Sequence, residues 1–151
     1  MSELSAKTLH YEDVAIGDEL PPLDIPLTRT LIVATAIASR DYQDVHHDPS
    51  LAQQRGSKDI FMNILSTNGF VGRFITDWTG PDAILKRVAI RLGAPNYPED
   101  TMVMTGSVTA KAVEAGEGIV DIAVRGANGL GDHVTGTVRV ALPQRAAEGL
   151  G

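Results

Sequence analysis

The sequence predicts an α+β fold in which an antiparallel sheet wraps around one long central helix. Two observations lead to this fold class. Within residues 59–78 the apolar side chains recur at helical spacing, and four later segments alternate apolar and polar residues. Alternation with a period of two is typical of antiparallel strands with one wet face, and a curled sheet is an economical way to bury a helix this apolar. A chain of 151 residues is expected to form a single domain, 1–151.

The first predicted elements are a strand and a short helix. Residues 1–20 are mostly polar and are interpreted as an N-terminal extension. Apolar and polar residues alternate over 23–27, as they do in a strand. Thr28 and Thr30 are candidate N-caps of a helix that continues to about Ser39, because threonine side chains accept hydrogen bonds from the first free N–H groups of a helix.

A polar loop and the long helix follow. Residues 40–58 show little periodicity and predict a loop with one helical turn after Pro49. The long helix is expected from Asp59 to Trp78, with Ser57 or Asp59 as its cap, and its apolar residues cover more than one stripe. We therefore expect other structure to surround it. Gly69 and Gly72 each cost about 1 kcal/mol relative to alanine, so we expect the sheet to pack closely there.

Four strands are predicted after residue 80. The alternating segments lie at 84–92, 101–112, 120–125 and 134–140. Asn128-Gly129 stands between the last two, and Asn-Gly between alternating segments is a strong hairpin signal. The tail, 143–151, contains mostly alanine, glycine and polar residues and is expected to fray.

Composition excludes several classes of function. The chain has 13 Lys and Arg against 19 Asp and Glu, a formal net charge of -6, so nucleic acid is not an expected partner. It has no cysteine, which removes disulfides, thiolate nucleophiles and cysteine-ligated zinc. No signal-peptide pattern opens the chain, and the longest apolar stretch, 31–38, is too short to span a bilayer. The expected location is the cytoplasm.

The polar segment 39–49 is the strongest candidate for a functional site. A turning loop can bring Asp41 and His46 together, and a carboxylate and an imidazole that share one water form a workable acid/base unit. From the residues alone, a solvated acidic loop is the more frequent alternative. A metal site built from Asp41, Asp44, His46 and Asp48 is a weaker one, because no recognisable ligand spacing supports it.

Other chemistry-bearing residues give weaker signals. The glycine-rich segment 126–131 joins two strands, so a turn is favoured over a phosphate-binding loop. His133 is isolated, and Ser39 and Ser66 lack the surroundings of a serine nucleophile. The basic residues near the long helix and the first long strand are mostly expected on the surface, and one or two are candidates for binding a phosphate. They are Lys58, Arg73, Lys86, Arg87 and Arg91.

Several motifs resemble one enzyme family. Asp41-x-x-x-x-His46-x-Asp48 resembles the D-x-N-P-[LIV]-H-x-D signature of MaoC-like, (R)-specific enoyl-CoA hydratases, and segment 11–18 resembles their lead-in. Blocks 40–48, 56–65, 76–81 and 129–135 resemble, more narrowly, the small MaoC-like subunits of heteromeric steroid side-chain enoyl-CoA hydratases from cholesterol-degrading bacteria. The resemblance runs from about residue 22 to residue 142, and it implies a hot-dog fold.

The resemblance also implies a reaction and a set of site residues. Asp41 and His46 would hold a water over Cβ of an α,β-unsaturated acyl-CoA, and the backbone N–H of Asn63 would stabilise the enolate oxygen. The residues expected to bind substrate are Asp48, Lys58, Met62, Arg87 and Arg91. No metal and no cofactor is expected, since the CoA thioester is itself the substrate. The expected assembly is a homodimer or a heteromer with a larger MaoC-like subunit.

Two departures from the general hydratase pattern are shared with the steroid-type subunits. Gln43-Asp44 stands where Asn-Pro is usual, and Phe61-Met62-Asn63 stands where Ala-His-Gly is usual. Both favour a bulky polycyclic acyl group over a straight fatty chain. The alternatives are a hot-dog thioesterase, which would cleave the same ester, and a non-catalytic acyl-CoA-binding subunit.

Overall fold

A computed structural model describes residues 7–146, which contain one five-stranded antiparallel sheet and three α-helices. In spatial order the strands are β1-β3-β4-β5-β2. The strands are β1 (Leu23–Leu27), β2 (Ile84–Leu92), β3 (Asp100–Glu114), β4 (Glu117–Asn128) and β5 (Gly131–Leu142). The helices are α1 (Arg29–Ala38), α2 (Pro49–Gln54) and α3 (Ile64–Thr79), and short 3₁₀ turns occupy Tyr11–Asp13 and Asp44–His46. The predicted α+β hot-dog architecture is confirmed.

The core lies between α3 and the sheet. Val71, Phe74 and Ile75 of α3 are buried in one cluster with the inward-facing residues of β3, β4 and β5. At Gly106 of β3, an added Cβ would stand 3.1 Å from the ring of Phe74. Helix and sheet therefore pack tightly, which fixes the direction in which α3 points.

The predicted strands and the predicted hairpin at Asn128-Gly129 are confirmed, and three of the strands run further than their apolar alternation. In the β3–β4 turn, Ala115 and Gly116 both have positive φ, as a tight two-residue turn requires. In the β4–β5 turn, Asn128 pairs with Gly131, and the Asn128 side chain accepts a hydrogen bond from Leu130 N at 2.8 Å. The tight turns let strand pairing continue into polar residues, which alternation alone could not reveal.

The beginning of the long helix differs from the prediction. The helix starts at Ile64, so the expected start at Asp59 with a cap at Ser57 or Asp59 is wrong. Asn63 is the N-cap, and its side-chain oxygen accepts a hydrogen bond from Ser66 N. The residues before it form an irregular segment that is bonded elsewhere, with Phe61 N donating to Val45 O and Met62 N donating to Asn96 O. This shift places Asn63 at the start of the helix.

One side of α3 is left uncovered within the described chain. Ile64 and Leu65 are each 53% exposed, so the expectation of a helix surrounded on most sides does not hold in one chain. A Cβ added at Gly72 would stand 3.8 Å from the side chain of Leu85 in β2. A Cβ added at Gly69 would meet nothing within 4 Å. The expected close packing is therefore wrong for Gly69.

Both ends of the described chain contact the domain. In the predicted N-terminal extension, 1–20, Val14 and Leu20 are buried, and Leu20 N donates to Gly106 O. In the predicted frayed tail, 143–151, Pro143 O accepts from Tyr11 N, and the Arg145 guanidinium donates to Asp13. Residues 1–6 and 147–151 lie outside the described residues. Between residues 7 and 146, no helix is long and apolar enough to cross a membrane.

Replacing Gly69 by alanine should raise the free energy of unfolding by about 0.5–1 kcal/mol, because alanine favours the helix and its Cβ meets open space. Gly136→Ala is the matched control in a strand. The new Cβ would clash with Ala89 O, so we expect the free energy of unfolding to fall by roughly 1–3 kcal/mol or more. Urea unfolding followed through the fluorescence of Trp78, the sole tryptophan, measures both. A loss of stability in Gly69→Ala would contradict the open surface at that position.

Candidate active site

Asp41 is placed by the end of α1. Asp41 N donates to Ala36 O and Arg40 N donates to Ile37 O, both at 3.0 Å, which is the bonding pattern of a Schellman helix ending. Arg40 occupies the left-handed position of this motif with φ of 58°. The backbone of Asp41 is thereby tied to the helix, although the residue itself begins the loop.

His46 lies in the 3₁₀ turn after that loop, and its side chain is only 8% exposed. Its Nδ1 is 2.7 Å from Phe61 O, and its ring packs edge-on against the Phe61 ring with centroids 5.0 Å apart. A carbonyl oxygen can only accept, so Nδ1 carries the hydrogen of the neutral ring. Nε2 is then the unprotonated nitrogen.

Asp41 and His46 face each other. Nε2 of His46 is 3.4 Å from Oδ2 of Asp41, and the Asp41 side chain is 21% exposed, so solvent reaches the pair. With a neutral ring and an ionised carboxylate, both atoms are acceptors, and one water can donate a hydrogen to each. The structure thus brings together the two residues that the sequence predicted as a pair, in an arrangement suited to removing a proton from water.

Asp41 is held in its ionised form. The Asn63 amide, whose Nδ2 donates to Asp41 Oδ2 at 3.0 Å, is the main cause that holds the pKa of the Asp41 carboxyl below its usual value. The backbone N–H of Gln43, at 3.3 Å from Oδ1, acts in the same direction. At neutral pH the carboxylate is therefore available as an acceptor.

The start of α3 lies beside this pair. Asn63 is bonded to Asp41 through its side chain, so the helix N-terminus and the carboxylate are direct neighbours. No described residue accepts a hydrogen bond from the Asn63 N–H. The first N–H groups of a helix lack intrahelical partners and carry partial positive charge. This placement is compatible with the predicted oxyanion role of Asn63.

The five predicted substrate-binding residues lie elsewhere in the described chain, and none of them hydrogen-bonds Asp41 or His46. Asp48 caps α2 by accepting from Leu51 N at 3.1 Å. Met62 is buried in the core, and Lys58 is exposed, with Nζ 5.8 Å from the ring centre of Tyr97. Arg87 and Arg91 are exposed on β2, at the edge of the sheet. Their binding roles stay predictions.

Sequence reasoning missed the side chain of Asn63 and its two serine partners. Asn63 Nδ2 also donates to Ser39 Oγ at 2.9 Å, and Oδ1 accepts from both the N–H and the hydroxyl of Ser66. Asparagine is among the best N-cap residues, so a helix start at 64 was readable from the sequence. The contact with Asp41 was not, because it joins residues 22 positions apart.

An open apolar groove adjoins this network. It lies between α1 and α3 and has a volume of about 350 Å³. Ser39 and Ser66 belong both to its lining and to the contacts of Asn63. Two residues of the groove lining therefore contact Asn63, the residue whose side chain bonds Asp41.

The alternative of a metal site gains no support from the geometry. Within residues 7–146, no group of three or more His, Asp or Glu side chains is arranged to hold a metal ion. Asp44 is instead paired with the guanidinium of Arg55 at 2.8 Å, and Asp48 is used as a helix cap.

Comparison with known proteins gives the family. A scan against protein-family models finds no match. The 3-oxo-4,17-pregnadiene-20-carboxyl-CoA hydratase beta subunit of Mycobacterium tuberculosis is 48% identical over 127 residues, which are 84% of this chain and 95% of that protein. The chain belongs to the MaoC-like enoyl-CoA hydratase family. The ChsH1-ChsH2 complex from the same organism contains a chain that this MaoC-like protein matches with a TM-score of 0.79 and 48% identity, over 85% of this chain and 98% of that one.

More distantly similar structures share the fold. The R-hydratase PhaJ1 of Pseudomonas aeruginosa matches this MaoC-like chain with a TM-score of 0.82 at 19% identity, over 95% and 94% of the two chains. A MaoC-like dehydratase from Rhodospirillum rubrum matches with a TM-score of 0.78 at 22% identity, over 92% and 99%. At these identities the likeness supports the hot-dog architecture alone.

The stability of this MaoC-like protein should fall in acid. The pKa of Asp41 is lowered chiefly by the Asn63 amide, and those of Asp59 and Asp121 by the guanidinium groups of Arg29 and Arg139. A carboxyl whose pKa is lower in the folded state than its unfolded value of about 3.9 stabilises the fold when ionised. This stabilisation is complete above about pH 5 and is lost as the pH falls through the folded-state pKa values.

Urea unfolding at about pH 7, 5, 4 and 3 measures this dependence. The free energy of unfolding should decline from about pH 7 to 5, because burial lowers the pKa of His133 and the unfolded state binds a proton there that the folded state does not. It should drop further below about pH 4, as the carboxyl groups are protonated. Asp121→Asn removes one of these carboxyl groups outside the candidate site. In this variant the free energy of unfolding should fall less between neutral and acidic pH. A free energy of unfolding that stays level down to about pH 3 would show that these pKa values are not lowered.

Proposed function

We propose that this chain is the small subunit of a heteromeric enoyl-CoA hydratase. It adds water across the α,β double bond of an acyl-CoA, a steroid side-chain thioester of cholesterol catabolism, together with a larger MaoC-like subunit. The observation that carries the proposal is the Asp41–His46 pair, with Nε2 of His46 and Oδ2 of Asp41 at 3.4 Å. The M. tuberculosis relative, 48% identical, is named as a hydratase of such a steroid thioester.

In the proposed reaction, one water lies between the pair and Cβ of the substrate. The pair accepts a proton from the water as the water oxygen bonds to Cβ. The electrons of the double bond then move toward the thioester carbonyl. The pair then returns this proton to Cα of the enolate, so one water is added, the pair is regenerated and the redox state is unchanged. Such a hydration uses no cofactor beyond the CoA that the substrate carries. Both acceptors would contact the same water, so the base is assigned to the pair.

The start of α3 is positioned to stabilise the enolate oxygen. Asn63 N–H has no acceptor among the described residues, and it belongs to the residue whose side chain contacts Asp41. A preorganised donor beside the reacting atoms lowers the energy of developing negative charge, which is often the largest contribution to catalysis. We assign the acyl group to the groove between α1 and α3, because its lining is mostly apolar and two of its lining residues, Ser39 and Ser66, contact Asn63.

A partner chain is part of the proposal. The M. tuberculosis relative is named a beta subunit, and its fold appears in a complex of two proteins. In this chain, Ile64, Leu65 and Ile84 are more than half exposed, although apolar side chains of this size gain from burial. A second hot-dog domain would cover them. We also infer a cytoplasmic location, because the CoA thioesters proposed as substrates are made and used inside the cell.

Replacing Asp41 by asparagine or His46 by glutamine should lower kcat/KM for hydration by about 100-fold or more, because each change removes one acceptor for the water proton. Asp44→Asn is the matched control. It changes an acid of the same loop that faces Arg55, and it should leave the rate within about twofold. The assay follows loss of the enoyl-thioester absorbance, with a steroid enoyl-CoA and with crotonyl-CoA, for the chain alone and with its larger subunit.

The same assay separates the alternatives. Free CoA thiol released at the rate of substrate loss would indicate a thioesterase and would contradict hydration. Activity of the assembled complex that survives both Asp41→Asn and His46→Gln would place the chemistry in the larger subunit, leaving this chain non-catalytic. Turnover of crotonyl-CoA by the chain alone would show a general hydratase that needs no larger subunit.

A further inference from the structure

The side chain of Asn63 is buried and fully hydrogen-bonded. The residue is 2% exposed. Its Nδ2 donates to Asp41 Oδ2 at 3.0 Å and to Ser39 Oγ at 2.9 Å, and its Oδ1 accepts from the N–H and the hydroxyl of Ser66. An asparagine side chain has two N–H donors and two acceptor lone pairs, and all four are used here. A residue so completely bonded has one orientation.

The direction of the amide follows from its partners. Ser66 N–H is a backbone donor and can only face an oxygen, so Oδ1 lies toward the helix. Nδ2 must then face Asp41 and Ser39. The opposite orientation would set the amide oxygen against the Asp41 carboxylate, where two acceptors repel. The bonding partners themselves therefore establish that Asn63 donates to Asp41.

These bonds join the two parts of the candidate active site. Ser39 is at the end of α1, where its hydroxyl donates to Thr35 O at 2.8 Å and accepts from Asn63. Asp41 follows two residues later, anchored to Ala36 O. Asn63 stands at the start of α3. One side chain thus connects the segment that carries the carboxylate with the helix end that carries the proposed oxyanion donor.

We propose that Asn63 is a positioning residue that acts through its side chain on Asp41. Its amide holds the Asp41 carboxylate ionised, turned toward His46, and at a fixed distance from the start of α3. This role is separate from that of the Asn63 backbone N–H, which a residue without a side chain would also provide. The proposal deepens the hydratase function proposed above and rests on it for its kinetic consequences.

Asn63→Ser tests the side chain while keeping the helix cap. Serine caps helices about as well as asparagine, but its hydroxyl is too short to reach Asp41 while it caps. Asn63→Asp also caps α3, but it places a second carboxylate against Asp41. Thr28→Ala is the matched control for a general loss of helix stability, because it removes the cap of α1 and no contact of Asp41.

The first readout is independent of activity. The chain is labelled with ¹³C at its aspartate carboxyl carbons and assembled with its larger subunit, and the Asp41 resonance is assigned by its loss in Asp41→Asn. In Asn63→Ser the midpoint of the Asp41 titration should rise by roughly 1 pH unit, and in Asn63→Asp by more. Thr28→Ala should leave it unchanged. If a folded Asn63→Ser protein showed the same midpoint of the Asp41 titration as the wild type, the proposal would be overturned.

The second readout is the pH profile of hydration. In Asn63→Ser the acidic limb of kcat/KM should move up in pH by about the same amount as the carboxyl titration, and kcat should fall about tenfold with a smaller change in KM. A fall in kcat with an unmoved acidic limb would assign Asn63 a structural role only and would overturn the proposal. If the wild-type complex hydrates no enoyl-CoA, the proposed function fails, while the titration still decides the role of Asn63.

Discussion

The packing of α3 against the sheet is the constraint on which the rest of this structure depends. Phe74 lies over Gly106, where the absence of a side chain lets the helix approach the strand, and Val71 and Ile75 fill the remaining space. Interiors packed this closely deform little, so the axis of α3 is fixed by its buried face. The position of its N-terminus, and with it Asn63, follows from that packing.

A buried polar contact adds to this constraint. His133 of β5 is 2% exposed, and its Nε2 is 2.8 Å from Thr67 Oγ1 on the second turn of α3. Its Nδ1 donates to Ala94 O at 2.6 Å, and burial lowers the pKa of the ring, so the neutral form is favoured. Thr67 must then donate to Nε2, a single geometry that ties the helix to the sheet near the candidate active site.

The strands could be predicted because their signal is local. The Asp41–His46 pair was predicted from the resemblance of its motif to one family, since the residues alone favour a solvated loop. Alternation with a period of two marks each strand, and the motif around Asp41 has its own spacing and residue types. The start of α3 could not be read in the same way. Ile60 and Met62 are buried as helical core residues would be, but they lie in an irregular segment that is bonded to Val45 and Asn96. Apolar residues in a short run do not distinguish these two conformations, and only the tertiary contacts do.

The position of Asn63 explains how one residue can serve two functions. An N-cap residue stands outside the helix, so its backbone N–H is not used by the helical hydrogen-bond pattern, while its side chain turns back to bond the first turn. The Asn63 amide also carries an NH₂ group, and this group donates a hydrogen bond to Asp41. A glycine at the same position would offer the N–H alone and would leave the carboxylate to be held by other groups. The exchange of glycine for asparagine therefore keeps the proposed oxyanion donor and adds a hydrogen bond to Asp41, which its neighbours Ser39 and Ser66 hold in place.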